Sequence, residues 1–158
     1  MESNSTIFLD LDGVLVTSSQ LYAKDNPVYH NHTFDKKCVR VLNEILENTT
    51  ADIVISSDWK TNYSLQALNN VFNLNGITRE IIAVTPSLWG IEYFNYTQLE
   101  DCRAAEILLY IKEHNITNYV AVDDLNLSPW IPNFVWCKRA NEGIKQFGIK
   151  EQILNTLN

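Results

Sequence analysis

No apolar run in the sequence approaches the roughly 20 residues that a membrane-spanning helix needs. The opening Met-Glu-Ser-Asn-Ser-Thr lacks the basic start and long apolar core of a secretory signal, so a cytoplasmic protein with no membrane partner is expected. Paired cysteines are missing too. Cys38, Cys102 and Cys137 are odd in number, widely spaced and without a CxxC, which argues against a disulfide framework or a zinc site and leaves reduced, partly buried thiols. The Asn-x-Ser/Thr triplets, such as Asn48-Thr49-Thr50, then read as a by-product of an Asn-rich composition. Positive charge is scarce. Twelve Lys and Arg against 19 Asp and Glu leave a net charge of −7, so bulk charge gives no support to a non-specific grip on nucleic acid. A local basic rim would have to supply it. There is no GxxxxGK[ST] loop for a P-loop kinase and no Cys-x5-Arg segment for a cysteine-based phosphatase. Repeats, low-complexity tracts and linkers are absent as well.

What is present is a chain of 158 residues, 46% hydrophobic and 20% charged, which fits one domain spanning 1–158. Apolar runs of strand length occur at Thr6 to Leu9, Asp52 to Ile55, Ile81 to Val84, Tyr119 to Val122 and Phe134 to Trp136. Several are apolar throughout, as expected of strands covered on both faces of a parallel sheet. Between them, apolar residues recur at helical spacing: Phe34 to Leu46, Leu65 to Phe72 with Gly76 as a stop, Ala104 to Ile111, and Ile149 to Leu157. Thr97 and Glu100 suggest a capping box for the third helix. The alternation predicts a doubly wound, Rossmann-like three-layer α/β sandwich with a mainly parallel five-stranded sheet. Ligands of such sheets sit at the carboxyl ends of the strands.

The residues that follow the strands carry the chemistry. The first strand leads into Asp10-Leu11-Asp12-Gly13, where acids at i and i+2 share one side of an extended chain and Gly13 permits a sharp turn. Neighbouring carboxylates repel, so such a site requires a cation or a shared proton. The second strand ends in Ser56-Ser57-Asp58-Trp59-Lys60, offering hydroxyls and free N–H groups to a phosphoryl oxygen. The fourth ends in Asp123-Asp124. Each feature alone is as well explained by a solvated strand end or a turn. Together, at one edge of one sheet, they make an oxygen-lined site suited to Mg²⁺.

On these residues the sequence resembles the haloacid dehalogenase (HAD) superfamily of phosphohydrolases. Asp10-Leu11-Asp12-Gly13-Val14-Leu15 matches its first motif, Ser56 its second and Asp123-Asp124 its fourth, and the resemblance spans most of the chain. More narrowly, Ile55-Ser56-Ser57-Asp58-Trp59-Lys60 and Arg103-x-x-Glu106-Ile107 look like the small HAD domains associated with RNA-repair proteins. The third motif of the superfamily is a Lys or Arg beside the phosphate. A helix between parallel strands begins at the catalytic edge, which favours Arg103 over Lys60. Lys112, nine residues on, lies roughly 13 Å down the axis, toward the wrong edge. The bland alternative for Arg103 is a surface residue answering Glu106 or Asp101.

The resemblance implies a covalent route. Asp10 attacks phosphorus, and Asp12 protonates the leaving oxygen and then activates water. Ser56, Ser57 and Arg103, or Lys60, bind the phosphate. Mg²⁺ is held by Asp10, the backbone carbonyl of Asp12 and Asp123, with Asp124 acting through water or orienting Arg103.

About 40 residues separate Asp12 from the second strand, enough for a helix and a flap over 17–33 but not for a separate cap domain. An open site favours a large phosphorylated substrate such as a polynucleotide end. A phosphoprotein, a nucleotide or a small metabolite is the alternative, and an oligomer could also supply a lid. Trp59, Trp89 and Trp130 lie near the active edge, where they either pack over the sheet or stack a base. His30 and His32 sit in the flap, where an HxH is usually unremarkable. His114 suits a helix carboxyl end. Two other classes remain open. One is a phosphoacceptor signalling domain, suggested by Lys138 after the last strand but opposed by the order of the acidic motifs. The other is a HAD scaffold retained only for binding.

Overall fold

A computed structural model describes residues 4–18, 33–90, 96 and 98–158. Five strands, β1 (Thr6–Leu9), β2 (Asp52–Ile55), β3 (Ile81–Val84), β4 (Tyr119–Asp123) and β5 (Phe134–Trp136), alternate with α1 (Lys36–Glu47), α2 (Leu65–Leu74), α3 (Leu99–His114) and α4 (Ile149–Leu157). The strands form one sheet in the order β3-β2-β1-β4-β5, and every pairing is parallel, where the sequence suggested only a mainly parallel sheet.

The apolar strands are buried because helices cover both faces. Ile7, Leu9, Ile53, Ile55, Val120 and Val122 pack on one face with residues of α1, α2 and α4. Phe8, Val54 and Ala121 pack on the other with Ala104, Ile107 and Tyr110 of α3. The two-residue period of the strands thus sorts the core into two layers around the sheet.

Local signals set the helix ends. Asp35 caps α1 by accepting from the Lys37 and Cys38 N–H groups at 2.9 and 3.2 Å. Ser64 caps α2 through the Ala67 N–H at 3.1 Å, and Gly76, with φ of 82°, follows its end. The cap of α3 differs from the expected pair. Gln98 is the capping residue, and the Asp101 carboxylate accepts from its backbone N–H at 3.2 Å. Thr97 lies outside the described residues. At the far end of α3 the His114 ring stacks on Tyr110 with centroids 3.8 Å apart.

Register decides what the carboxyl edge of the sheet displays. Leu9 lies opposite both Ile55 and Val122, and Ile55 lies opposite Val84. The ladder runs one residue further: the backbone N–H of Asp10 donates to Val122 O, that of Ser56 to Leu9 O and that of Thr85 to Ile55 O, at 3.0–3.1 Å. Thr85, Ser56, Asp10 and Asp123 therefore form one row across four strands, and by alternation they share the α3 side of the sheet. Strand order reverses between β1 and β4, so Asp10 and Asp123 flank the topological switch point where open α/β sheets bind ligands.

Among the described residues no element forms a separate cap, and no helix is long and apolar enough to cross a membrane. Most of the expected flap, with His30 and His32, lies outside them.

Candidate active site

Asp10, Asp123 and Asp124 each offer a carboxylate oxygen within 4.8 Å of the others. Asp10 and Asp123 are almost fully buried. Into this acidic corner α3 inserts Arg103 from its second turn. Its Nη1 lies 2.7 Å from Asp123 Oδ2 and 3.3 Å from Asp10 Oδ1, and its Nη2 lies 3.5 Å from Asp58. Arg103 is itself buried, so it is not the surface residue of the bland alternative. Glu106 pairs elsewhere and Asp101 caps the helix.

Crowding and burial govern the electrostatics. Burial pushes the Asp10 carboxyl up to about 7, against the pull of Arg103 and with added repulsion from Asp124. Burial and the neighbouring Asp10 push Asp123 to about 8, and burial raises Asp124 to about 6. Burial alone would weaken the charge of Arg103, but Asp123, Asp10 and Asp58 outweigh it and hold the guanidinium charged. Three carboxyls facing one guanidinium leave a site short of positive charge. All the donors are hard oxygens, and they fit a divalent cation of the Mg²⁺ kind. Asp10, Asp123 and Asp124 are the side chains that would hold it.

The loop after β1 is folded to bring Asp124 close. Gly13 has φ of 79°, in the left-handed region, and a Cβ there would overlap the Asp124 carboxylate. Leu11 O accepts from Val14, Leu15 and Val16, closing the turn. Asp12 is not one of the three clustered acids. Its carboxylate is exposed and accepts from Trp59 Nε1 at 3.1 Å.

The segment after β2 has two roles. Ser56 is fully buried, and its Oγ has no hydrogen-bond partner among the described residues. Ser57 is turned to the backbone, where its Oγ accepts from the Trp59 N–H and caps the short 3-10 turn Asp58–Thr61. Lys60 does not join the acids. Its Nζ donates to Thr85 Oγ1 at 2.8 Å and Glu106 Oε1 at 2.7 Å, while Glu106 Oε2 accepts from the Leu88 N–H. Burial lowers the Lys60 pKa and Glu106 opposes that shift. The structure thus separates the two basic candidates: Arg103 stands at the acids and Lys60 is engaged by a buried glutamate.

A family model described as the HAD domain in Swiss Army Knife RNA repair proteins matches residues 6–146. The chain belongs to that family. No curated protein matches the chain, and no solved structure does. In this HAD domain the row of strand-end residues, Asp10 after β1, Ser56 after β2 and Asp123-Asp124 at the end of β4, occupies the sheet edge where the sequence motifs placed it. Helix α4 lies beyond the matched residues yet buries Ile149, Ile153 and Leu157 against the core.

Sequence reasoning missed three features of this HAD domain. Asp58 is a further partner of Arg103, Thr85 completes the strand-end row, and Trp59 holds Asp12. Period-two counting from β3 could have found Thr85. The other two depend on how the chain turns after β2. The cysteines are buried and free, and burial pushes the Cys38 and Cys102 thiols up to about 11. Thiols held so far up are poor nucleophiles at neutral pH.

A cavity of about 300 Å³ adjoins the site, lined by Arg103, Asp58, Thr61, Trp89, Leu99 and Cys102 among others. A larger hollow of about 470 Å³ along α2, lined by Leu65, Asn69, Asn73 and Glu80 among others, shares no residue with the acids. Of the loop tryptophans, Trp59 packs against Phe34 and Tyr63, Trp89 is 61% exposed and Trp130 is 39% exposed.

Proposed function

We propose that the chain is a Mg²⁺-dependent phosphatase that hydrolyses phosphate monoesters through an aspartyl-phosphate on Asp10. The observation that carries this reading is the buried Arg103 guanidinium lodged between Asp10 and Asp123 at the carboxyl edge of the sheet. An Asp10 oxygen attacks phosphorus, and the bond from phosphorus to the ester oxygen breaks. Asp12, held by Trp59 at the exposed side of the site, gives its proton to the departing oxygen. Asp12 then takes a proton from water, whose oxygen attacks the same phosphorus and releases Asp10 as a carboxylate.

The Ser56 hydroxyl, unpartnered among the described residues, and the Arg103 guanidinium bind the equatorial oxygens, whose charge needs preorganised donors. A bound divalent cation supplies the charge that keeps the carboxylates ionised and offsets their repulsion of a phosphate dianion. Asp10, Asp123 and Asp124 are its side-chain ligands in this reading, with the Asp12 backbone carbonyl. The family's association with RNA repair, together with the lack of a separate cap among the described elements, supports a polynucleotide end as the substrate.

The test is Asp10→Asn, which keeps shape and removes the nucleophile. The variant is expected to stay folded and lose Mg²⁺-dependent hydrolysis of an aryl phosphate by at least about 10³-fold. Near-native turnover by the variant would refute the reading.

A further inference from the structure

Resting on that reading, we propose that the cavity beside Arg103 is the subsite for the terminal nucleobase of a phosphorylated nucleic acid end. The cavity adjoins the reacting centre through one side chain. Arg103 forms part of its wall while its Nη1 lies 3.3 Å from Asp10, and none of Asp10, Ser56, Asp123 or Asp124 lines it. A ligand group seated there meets Arg103 but none of those four residues, and so is offset from the phosphate. A ribose supplies that offset. The ring of a phosphotyrosine, joined to phosphorus through a single oxygen, lacks it.

Size and chemistry agree. At about 300 Å³ the cavity is at the small end of ligand pockets, room for a ring system rather than a folded chain. Trp89 and Leu99, 61% and 44% exposed, present apolar surface that a flat base would cover. Trp59 and Trp136 are already committed through their indole N–H groups, to Asp12 and to Asp124 O. Charge disfavours a second phosphate. With Glu106 neutralised by Lys60, the exposed Asp58 carboxylate opposes the single Arg103 in the walls, and the chain carries a net charge of −7. An uncharged base meets no such repulsion, and the exposed Asp58 carboxylate can accept from an exocyclic amino group.

The test measures binding, so that it does not depend on turnover. Calorimetry in Mg²⁺ on Asp10→Asn compares adenosine 5′-monophosphate and adenosine 3′-monophosphate with ribose 5-phosphate. At least one adenylate is expected to bind roughly five- to a hundredfold tighter than the sugar phosphate, the range of one base–aromatic stack. Adding Trp89→Ala is expected to abolish most of that ratio, and Trp89→Phe to preserve part of it. Trp89 is exposed enough that neither change threatens the fold. Equal binding of nucleotide and sugar phosphate, or a ratio untouched by Trp89→Ala, would overturn the subsite. So would phosphotyrosine binding that depends on Trp89 as strongly as adenylate binding does. Absence of hydrolysis by the unaltered protein would count against the Asp10 chemistry alone.

Discussion

A serine hydroxyl buried without a partner loses its hydrogen bonds to water and gains none in return. Ser56 is in that state, with its Oγ unpartnered among the described residues in the row that also holds Asp10 and Asp123. A residue serving only the fold would cost stability when truncated, but one kept for a ligand would not. Ser56→Ala is therefore expected to leave the urea midpoint unchanged or raise it, by up to about 1–3 kcal/mol of stability. The same change should lower turnover of a phosphate ester on the order of 10²-fold, the usual loss for one preorganised donor. Paired denaturation and kinetic measurements separate the two roles, and a large loss of stability would show that the hydroxyl serves the fold.

Among elements, the informative contacts are those that pin one to another. Asp35 caps α1 and also binds Lys145 at 2.6 Å. Burial tends to raise its pKa, but the Lys145 ammonium and the Cys38 and Lys37 N–H groups outweigh that and hold it below the usual carboxylate range. With the folded pKa depressed, the contribution is full above the unfolded value and disappears as pH falls through the folded one. Asp35→Ala is expected to cost about 1–2 kcal/mol at neutral pH, and denaturation of both proteins in acid should show that difference shrinking.

The buried Lys60–Glu106 pair joins the 3-10 turn after β2 to α3, and Glu106 further holds the Leu88 N–H. Lys60→Met alone leaves a buried glutamate without its ammonium and should cost about 3–5 kcal/mol. Lys60→Met combined with Glu106→Gln keeps the acceptor for Leu88 and should recover most of the loss in thermal unfolding.

Such contacts explain what sequence could and could not convey. The bounds of β1, β2, β3 and β5 were legible because each is an apolar run, and the motif positions followed by counting from the strand ends. The start of α3 was legible to within one residue, since Thr97 with Glu100 lies one position before the observed Gln98 and Asp101, although buried Arg103 and Glu106 interrupt the apolar period near its beginning. Lys60 and Arg103 could be ranked but not resolved, since the partner of Lys60 is 46 residues away. The turning of Asp12 to Trp59 likewise depends on the 3-10 turn and not on a local pattern.

At the scale of the whole molecule, the parallel register of β1, β2 and β4 brings together groups separated by more than a hundred residues in sequence. Asp10 and Asp123 meet because Leu9 lies opposite Val122, and Arg103 meets both because α3 covers that side of the sheet. Three crowded carboxyls, raised by burial to about 6 to 8, are a poor arrangement for an empty protein and a suitable one for a cation and a phosphate. The proposed function puts a bond between an Asp10 oxygen and phosphorus, and that bond can be looked for. Acid quenching of the protein during Mg²⁺-dependent turnover of a phosphate ester, followed by peptide mass spectrometry, should locate a base-labile phosphate on Asp10 that is missing from Asp10→Asn. Phosphate on another residue, or steady turnover with none on Asp10, would contradict the account.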